Sequence, residues 1–447
     1  MKAKIGYSWA DITPPIGIRL GGYAHRFGKP SETVHDPLKV RAILLRVCDE
    51  EILLLSADVL GIYKDFADSV KLKIQEKTGI NTNNIFFTTT HTHSAPETII
   101  PMWPNTFPYK EREKILLNKW MKRFKERIIE VSIRACKRIS KVSVAKLGIT
   151  SVKGLTFNRV FKNGPIDPLL SLIYFKSSDR ILLTNYGCHP VCNTDLGISA
   201  DYPGVLSSTL FKHGFANFFV LGACGNIDPI EKGREFMQKM GRKLASSALK
   251  CLEGNASNLS LSSLKIESRK IHLKLRNVHN KGVDSVPYIL LKIIPQQLLS
   301  SITNERIKRF LIQHLLMQDE KMEIAKEGKT ACETVIHVFT IDDVAFITIP
   351  GELFVETGIK IRHAATLLGY KNAIIATCSE DYIGYIPVKE LFKLKIYETT
   401  LARWSRVTEE AERSIYKEAV EALKKLKNSQ NYEKCMKVIL YEQHTPG

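Results

Sequence analysis

The run Thr88-Thr89-Thr90-His91-Thr92-His93-Ser94-Ala95-Pro96 directly follows the apolar triplet Ile85-Phe86-Phe87. Read as the end of a strand, it puts residues i and i+2 on one face, so His91 and His93 converge. Converging imidazoles suit zinc, which takes histidine nitrogen and carboxylate oxygen. A pair of solvated loop histidines has the same sequence, and one His-x-His does not separate the two. Three further places put polar groups just past an apolar strand, where α/β proteins gather their sites. His189 lies in Tyr186-Gly187-Cys188-His189-Pro190. A lone histidine is more often structural than ligating, and Cys188 and Cys192 beside it read as small buried thiols. In Ile349-Pro350-Gly351-Glu352 the glycine permits a tight step and Glu352 is expected in the first turn of a helix, where the dipole favours its ionised form. An ordinary first-turn glutamate looks the same. Ser379-Glu380-Asp381-Tyr382-Ile383-Gly384-Tyr385-Ile386-Pro387, with Tyr397-Glu398 downstream, adds phenols that singly read as core.

The elements that must hold these groups follow from periodicity. Paired strands are expected at 40–47 and 52–57, a helix over 63–78 that stops before Gly79, and a strand over 84–90. A long basic amphipathic helix fits 109–142. Strands follow at 143–149, 169–176, 180–187 and 217–223, then a helix near 231–252. A hairpin turns at Asp342-Asp343 within 334–349, a helix begins near Glu352, a strand covers 373–378, and a last helix covers 408–427. The spacing predicts a mixed α/β chain, α+β in its pairing, forming a single large layered domain over 1–447 with mixed β-sheets flanked by helices. No internal repeat is visible in the residues. The stretch 256–332, with polar strands and then a helical hairpin over 287–299 and 305–318, reads as a subdomain, a lid or an insertion.

The bulk composition sets wider bounds. The chain has 447 residues, 44% of them hydrophobic, enough to bury a large core. Its formal charge is +19, from 65 Lys+Arg against 46 Asp+Glu. Such a balance favours an anionic partner, a membrane surface included, or else reflects lysine on solvated helix faces. No nucleic-acid-binding motif accompanies it, so no nucleic-acid partner is expected. Nine scattered cysteines without a Cys-x-x-Cys pair predict reduced thiols. No apolar stretch reaches the length of a membrane span, and the N-terminal residues lack a secretory h-region, so the default expectation is cytoplasmic.

Taken together, the motifs resemble the catalytic domain of the neutral/alkaline ceramidase family. Those that carry the resemblance are Ala10-Asp11-Ile12-Thr13-Pro14, Gly21-Gly22-Tyr23, His35-Asp36-Pro37-Leu38, the His91 run, Asn158-Arg159, Gly187-Cys188-His189-Pro190 and Gly222-Ala223-Cys224-Gly225-Asn226-Ile227-Asp228-Pro229. Ile349-Pro350-Gly351-Glu352 and Asp381-Tyr382-Ile383-Gly384-Tyr385 with its later Tyr-Glu complete the set, in family order over about 4–400. The resemblance implies a catalytic Zn2+ held by His91, His189, Glu352 and Tyr385. It makes His93 a proton donor or acceptor beside the metal and puts Arg159 and Tyr397 in the site lining. The implied reaction is hydrolysis of a linear N-acyl amide, lipid-like or smaller and more polar. One position departs from the family: its serine is Asp228 here, a carboxylate able to act as general base or to bind substrate, which adds Asp228 to the catalytic candidates. The family's secretory signal and C-terminal domain have no counterpart, which points to a short intracellular relative.

Two other readings compete. A TIM-barrel amidohydrolase also carries His-x-His on a strand, but on its first one, whereas several strands precede His91. A relative that only binds lipid or an anionic surface would fit the charge, but has no need of four ligands.

Overall fold

The computed structural model describes residues 3–101, 104–278, 305–394 and 396–427. Its long elements fall into three consecutive units built to one plan. The first runs β1 (Lys4–Asp11), β2 (Lys39–Val47), β3 (Glu50–Ala57), α1 (Lys64–Thr78), β4 (Ile85–Thr89) and α2 (Glu111–Lys137). The second runs β5 (Val144–Ser151), β6 (Leu169–Lys176), β7 (Arg180–Tyr186), α3 (Asp201–Lys212), β8 (Ala216–Leu221) and α4 (Arg234–Gly254). In the third, β9 (Leu264–Lys274) is followed by an added helix, α5 (Glu305–Glu327), before β10 (Ala331–Ile341), β11 (Val344–Thr348), α6 (Val355–Leu367), β12 (Asn372–Ala376) and α7 (Ala411–Lys427).

In every unit the first three strands pair antiparallel, and a helical crossover returns the fourth parallel to the third. Antiparallel neighbours need only a tight turn, as between Val47 and Glu50, while a parallel return needs a crossover helix. The third and fourth strands read as continuous apolar runs because both faces are covered. One core joins the three inner faces, through Leu54 and Phe86, Leu183 and Phe218, and Phe339, Phe346 and Ile374. The outer faces are covered by their own helix pairs: α1 and α2, α3 and α4, α6 and α7. The sheets are mixed and open, so the barrel alternative is excluded for the described residues.

The repeated plan escapes sequence inspection because it is carried by where apolar residues fall, not by which residues they are. At the C-terminal ends of the parallel strands the sheets are stitched to one another. Ser56 Oγ donates to the Phe219 carbonyl (2.9 Å), Asn185 Nδ2 to that of Ile375 (2.9 Å), and the Thr377 amide to that of Leu221 (2.9 Å). These bonds satisfy polar groups that would be costly to bury unpaired and fix the strand ends against one another.

The stretch 256–332 is woven into this architecture at both ends. Strand β9 pairs with β10 along its whole length, Leu264 opposite Ile341 through Lys274 opposite Ala331. Helix α5 buries Asp319, whose carboxylate accepts from Asn105 and Thr106, and Glu320, whose carboxylate accepts from Arg403. The first half of the expected helical hairpin, 287–299, lies outside the described residues. No helix among the described residues is long and apolar enough to cross a membrane.

Candidate active site

Each unit sends a side chain to one point above the strand ends. His91 comes from beyond β4, His189 from beyond β7, and Glu352 from beyond β11. The convergence of His91 and His93 holds, with ring centroids 5.0 Å apart, but strand alternation is not its cause. The strand β4 ends at Thr89, and His91 has φ +61, left-handed backbone that a non-glycine residue rarely adopts. Its amide donates to the Val59 carbonyl (3.0 Å), and Arg26 clamps the following turn through the carbonyl of His93 and Ser94 Oγ. Glu352 also differs from expectation. It lies on a two-residue strand, Glu352–Leu353, paired in parallel with Tyr385–Ile386, and α6 begins only at Val355. Its ionised state is therefore favoured not by a helix dipole but by its neighbours: burial pushes the carboxyl up, and His91 and His189 more than reverse this, holding it well below the usual range.

Both histidines are oriented through Nδ1. His91 Nδ1 donates to the Leu60 carbonyl (2.5 Å) and His189 Nδ1 to that of Ile227 (3.2 Å). Their Nε2 atoms face the same Glu352 oxygen, Oε2, at 3.4 Å and 2.6 Å. His91, His93 and His189 offer ring nitrogens all within 4.8 Å of one another. Imidazoles tied to backbone at Nδ1 and turned through Nε2 toward a shared carboxylate are a donor set that fits a transition-metal site. His93 Nε2 lies 3.4 Å from His91 Nε2, while its buried Nδ1 has no partner. Gly22, with φ +89, lies against that nitrogen so closely that a Cβ there would come within 2.3 Å of it.

The remaining candidates form a wall beside this cluster. Arg159 donates from Nη2 to the Tyr385 hydroxyl (3.0 Å) and the Gly225 carbonyl (3.1 Å), from Nη1 to Asp228 (3.0 Å) and from Nε to Glu398 (2.7 Å). Asp228 Oδ2 accepts from Lys232 (2.9 Å), and Oδ1 lies 3.7 Å from His189 Nδ1. Burial would raise the Asp228 carboxyl, but Arg159, His189 and Lys232 hold it below the ordinary range. Tyr397, 55% exposed, reaches the surface with its ring 5.9 Å from that of Tyr385 and stacked on Trp404. All eight residues singled out in the sequence are thus linked from His93 to Tyr397. Three partners carry no expectation in the sequence reading: Lys232 on Asp228, Glu398 and Tyr382. Glu398 stood next to Tyr397 without a role. Tyr382 was inside the Asp-Tyr-Ile-Gly-Tyr motif, and it donates to Glu352 Oε1 (2.5 Å).

No family model matches the sequence, and no curated protein matches it. Solved structures do. The structure of neutral ceramidase from Pseudomonas aeruginosa superposes with a TM-score of 0.73 over 96% of this chain and 75% of that one, at 16% identity. The chain has the neutral ceramidase fold. A second structure, of a ceramidase complexed with C2, gives 0.72 over 96% of this chain and 76% of the other, also at 16% identity. The motifs that carried the resemblance in the sequence therefore occupy a fold of the same kind, with His91, His189 and Glu352 meeting at its strand ends.

Proposed function

We propose that this protein is a zinc-dependent hydrolase of linear N-acyl amides, with His91, His189, Glu352 and Tyr385 holding the metal. The observation that carries the reading is the meeting of two backbone-tethered imidazoles at one oxygen of a fully buried carboxylate. A buried charge of this kind needs compensation, and the donor set fits a divalent ion. The ceramidase neighbours support an amide as the bond cleaved. Bound zinc would supply a nucleophilic water near neutral pH and polarise the scissile carbonyl.

The chain's own residues divide the remaining work. Burial holds the Tyr385 phenol well above its ordinary range; Arg159, which donates to the Tyr385 oxygen, opposes this, and a bound cation would add to that opposition in favouring the ionised phenol a metal-ligating tyrosine needs. His93 serves better as a proton holder than as a third histidine ligand. Its Nδ1 is buried without a partner in either role, so the reading rests on the family resemblance, which puts His93 beside the metal, and on its Nε2, which faces His91 Nε2 at 3.4 Å. With the proton on Nε2, His93 hydrogen-bonds the reacting group instead. Asp228 has both oxygens engaged by cations and anchors Arg159, which disfavours it as a general base. Tyr397, half exposed at the surface end of the wall, is left to contact substrate and to steady the developing oxyanion. Free thiols at all eight described cysteines fit a reducing, cytoplasmic setting. The +19 charge fits work at an anionic membrane surface, where a lipid-like amide would be met.

Metal analysis of the purified protein, with turnover of a panel of N-acyl amides of graded chain length, tests the reading. One zinc per chain and amide hydrolysis, both lost in His91→Ala, are expected. Absence of stoichiometric zinc, or a His91→Ala protein that keeps turnover, would overturn it.

A further inference from the structure

The Glu352 carboxylate is asymmetric in its surroundings. Oε2 faces His189 and His91, while Oε1 accepts from the Tyr382 hydroxyl at 2.5 Å. Tyr382 is itself held: it is 8% exposed, and its ring lies nearly parallel to that of His91, 23° between planes and 6.1 Å between centroids. It belongs to the loop beyond β12 that also carries Tyr385. That loop is anchored by the buried pair of Lys71 on α1 with Glu380. Gly384 closes it at φ +85, so tightly that a Cβ would come within 2.3 Å of the Trp404 carbonyl oxygen. The phenol thus reaches Glu352 from a fixed frame shared by the first and third units.

We infer that Tyr382 is a positioning residue for the metal site: its hydroxyl occupies Oε1 of Glu352 and leaves Oε2 alone to ligate. The carboxylate would then offer a bound ion one oxygen, and the two tyrosines of one motif would divide their roles, Tyr385 toward the metal and Tyr382 toward its carboxylate ligand. Outer hydrogen bonds of this kind raise metal affinity about 10–100-fold. The inference rests on the proposed zinc site.

Tyr382→Phe removes one oxygen and keeps the ring against His91. Zinc affinity, measured by competition with a chromophoric chelator, is expected to fall about 10–100-fold, and the visible d–d spectrum of the cobalt-loaded protein to change as Glu352 is released. Tyr370→Phe is the control: that buried phenol donates to the Leu423 carbonyl (2.9 Å), between α7 and β12 and away from the site, and its loss should leave both readouts unchanged. Unaltered zinc affinity and cobalt spectrum in Tyr382→Phe would overturn the inference and leave the zinc site standing. A wild-type protein that binds no zinc would overturn both.

Discussion

The two halves of the candidate site are held by different means. In the cradle of His91, His189 and Glu352 the histidines are oriented by backbone: two carbonyls fix the Nδ1 atoms, a left-handed residue turns the chain at His91, and glycine lets it pass His93, while the Glu352 carboxylate is met by the two imidazoles and Tyr382. In the wall around Arg159, orientation comes from side chains: Asp228, Glu398, Tyr385 and Lys232 form a charged network that reaches the surface at Tyr397. Imidazoles held by backbone have little freedom to relax after a substitution. A network of side chains redistributes its bonds when one member is changed. Under the proposed function, the first half would hold the metal rigidly, and the second would bring Tyr385 to it while leaving its outer members free to adjust to substrate.

The largest effect should follow from Glu352→Gln, which removes the one anion between two histidines. Breaking a buried charged pair costs about 3–5 kcal/mol, or roughly two to four orders of magnitude in zinc affinity, readable by chelator competition. A loss as small as that from changes in the wall would erase the contrast. Gly22→Ala comes next. The new Cβ must displace His93, so turnover should drop about 100-fold while zinc stays bound. A parallel loss of zinc would instead make His93 a ligand. Asp228→Asn should cost less, about tenfold or under in kcat, since the amide still accepts from Arg159. A general base would lose about 10²–10⁴-fold, and a drop of that size would return Asp228 to the chemistry. The smallest effect is one of pH. The folded carboxyl of Asp228 is depressed below its ordinary value of 3.8, so its contribution to stability is complete above that value and is lost as pH falls through the folded pKa. Urea unfolding should therefore show Asp228→Asn less stable than wild type near neutral pH, with the gap closing as pH falls below the ordinary carboxylate range.

Much of the layout was legible because it rests on local periodicity. The alternation of long apolar strands and amphipathic helices gave the mixed, layered fold. The helix over 63–78 lies within one residue of Lys64–Thr78, and the strand 169–176 is Leu169–Lys176. The helix expected at Glu352 was displaced to Val355 because Glu352–Leu353 pairs with Tyr385–Ile386, a contact between segments more than thirty residues apart that propensity does not register. The threefold plan was hidden for a related reason: three sheets bury the same kind of surface with different residues.

The sequence by itself determined the chemical inventory. Two histidines in one run, an arginine, a third histidine after an apolar strand, an aspartate, a glutamate after Pro-Gly and the tyrosines beyond it were all recognisable as candidates from residue type, spacing and family order. The tertiary structure alone decided how they meet. It placed one member of the cradle on each of three units, turned His91 through a left-handed residue, closed both oxygens of Asp228 with cations, and brought Tyr382 onto Glu352. Residue type and short-range spacing constrain what a side chain can do. Which carbonyl orients an imidazole, and which phenol faces a carboxylate, depends on contacts between segments far apart in the chain, and only the packed sheets set those.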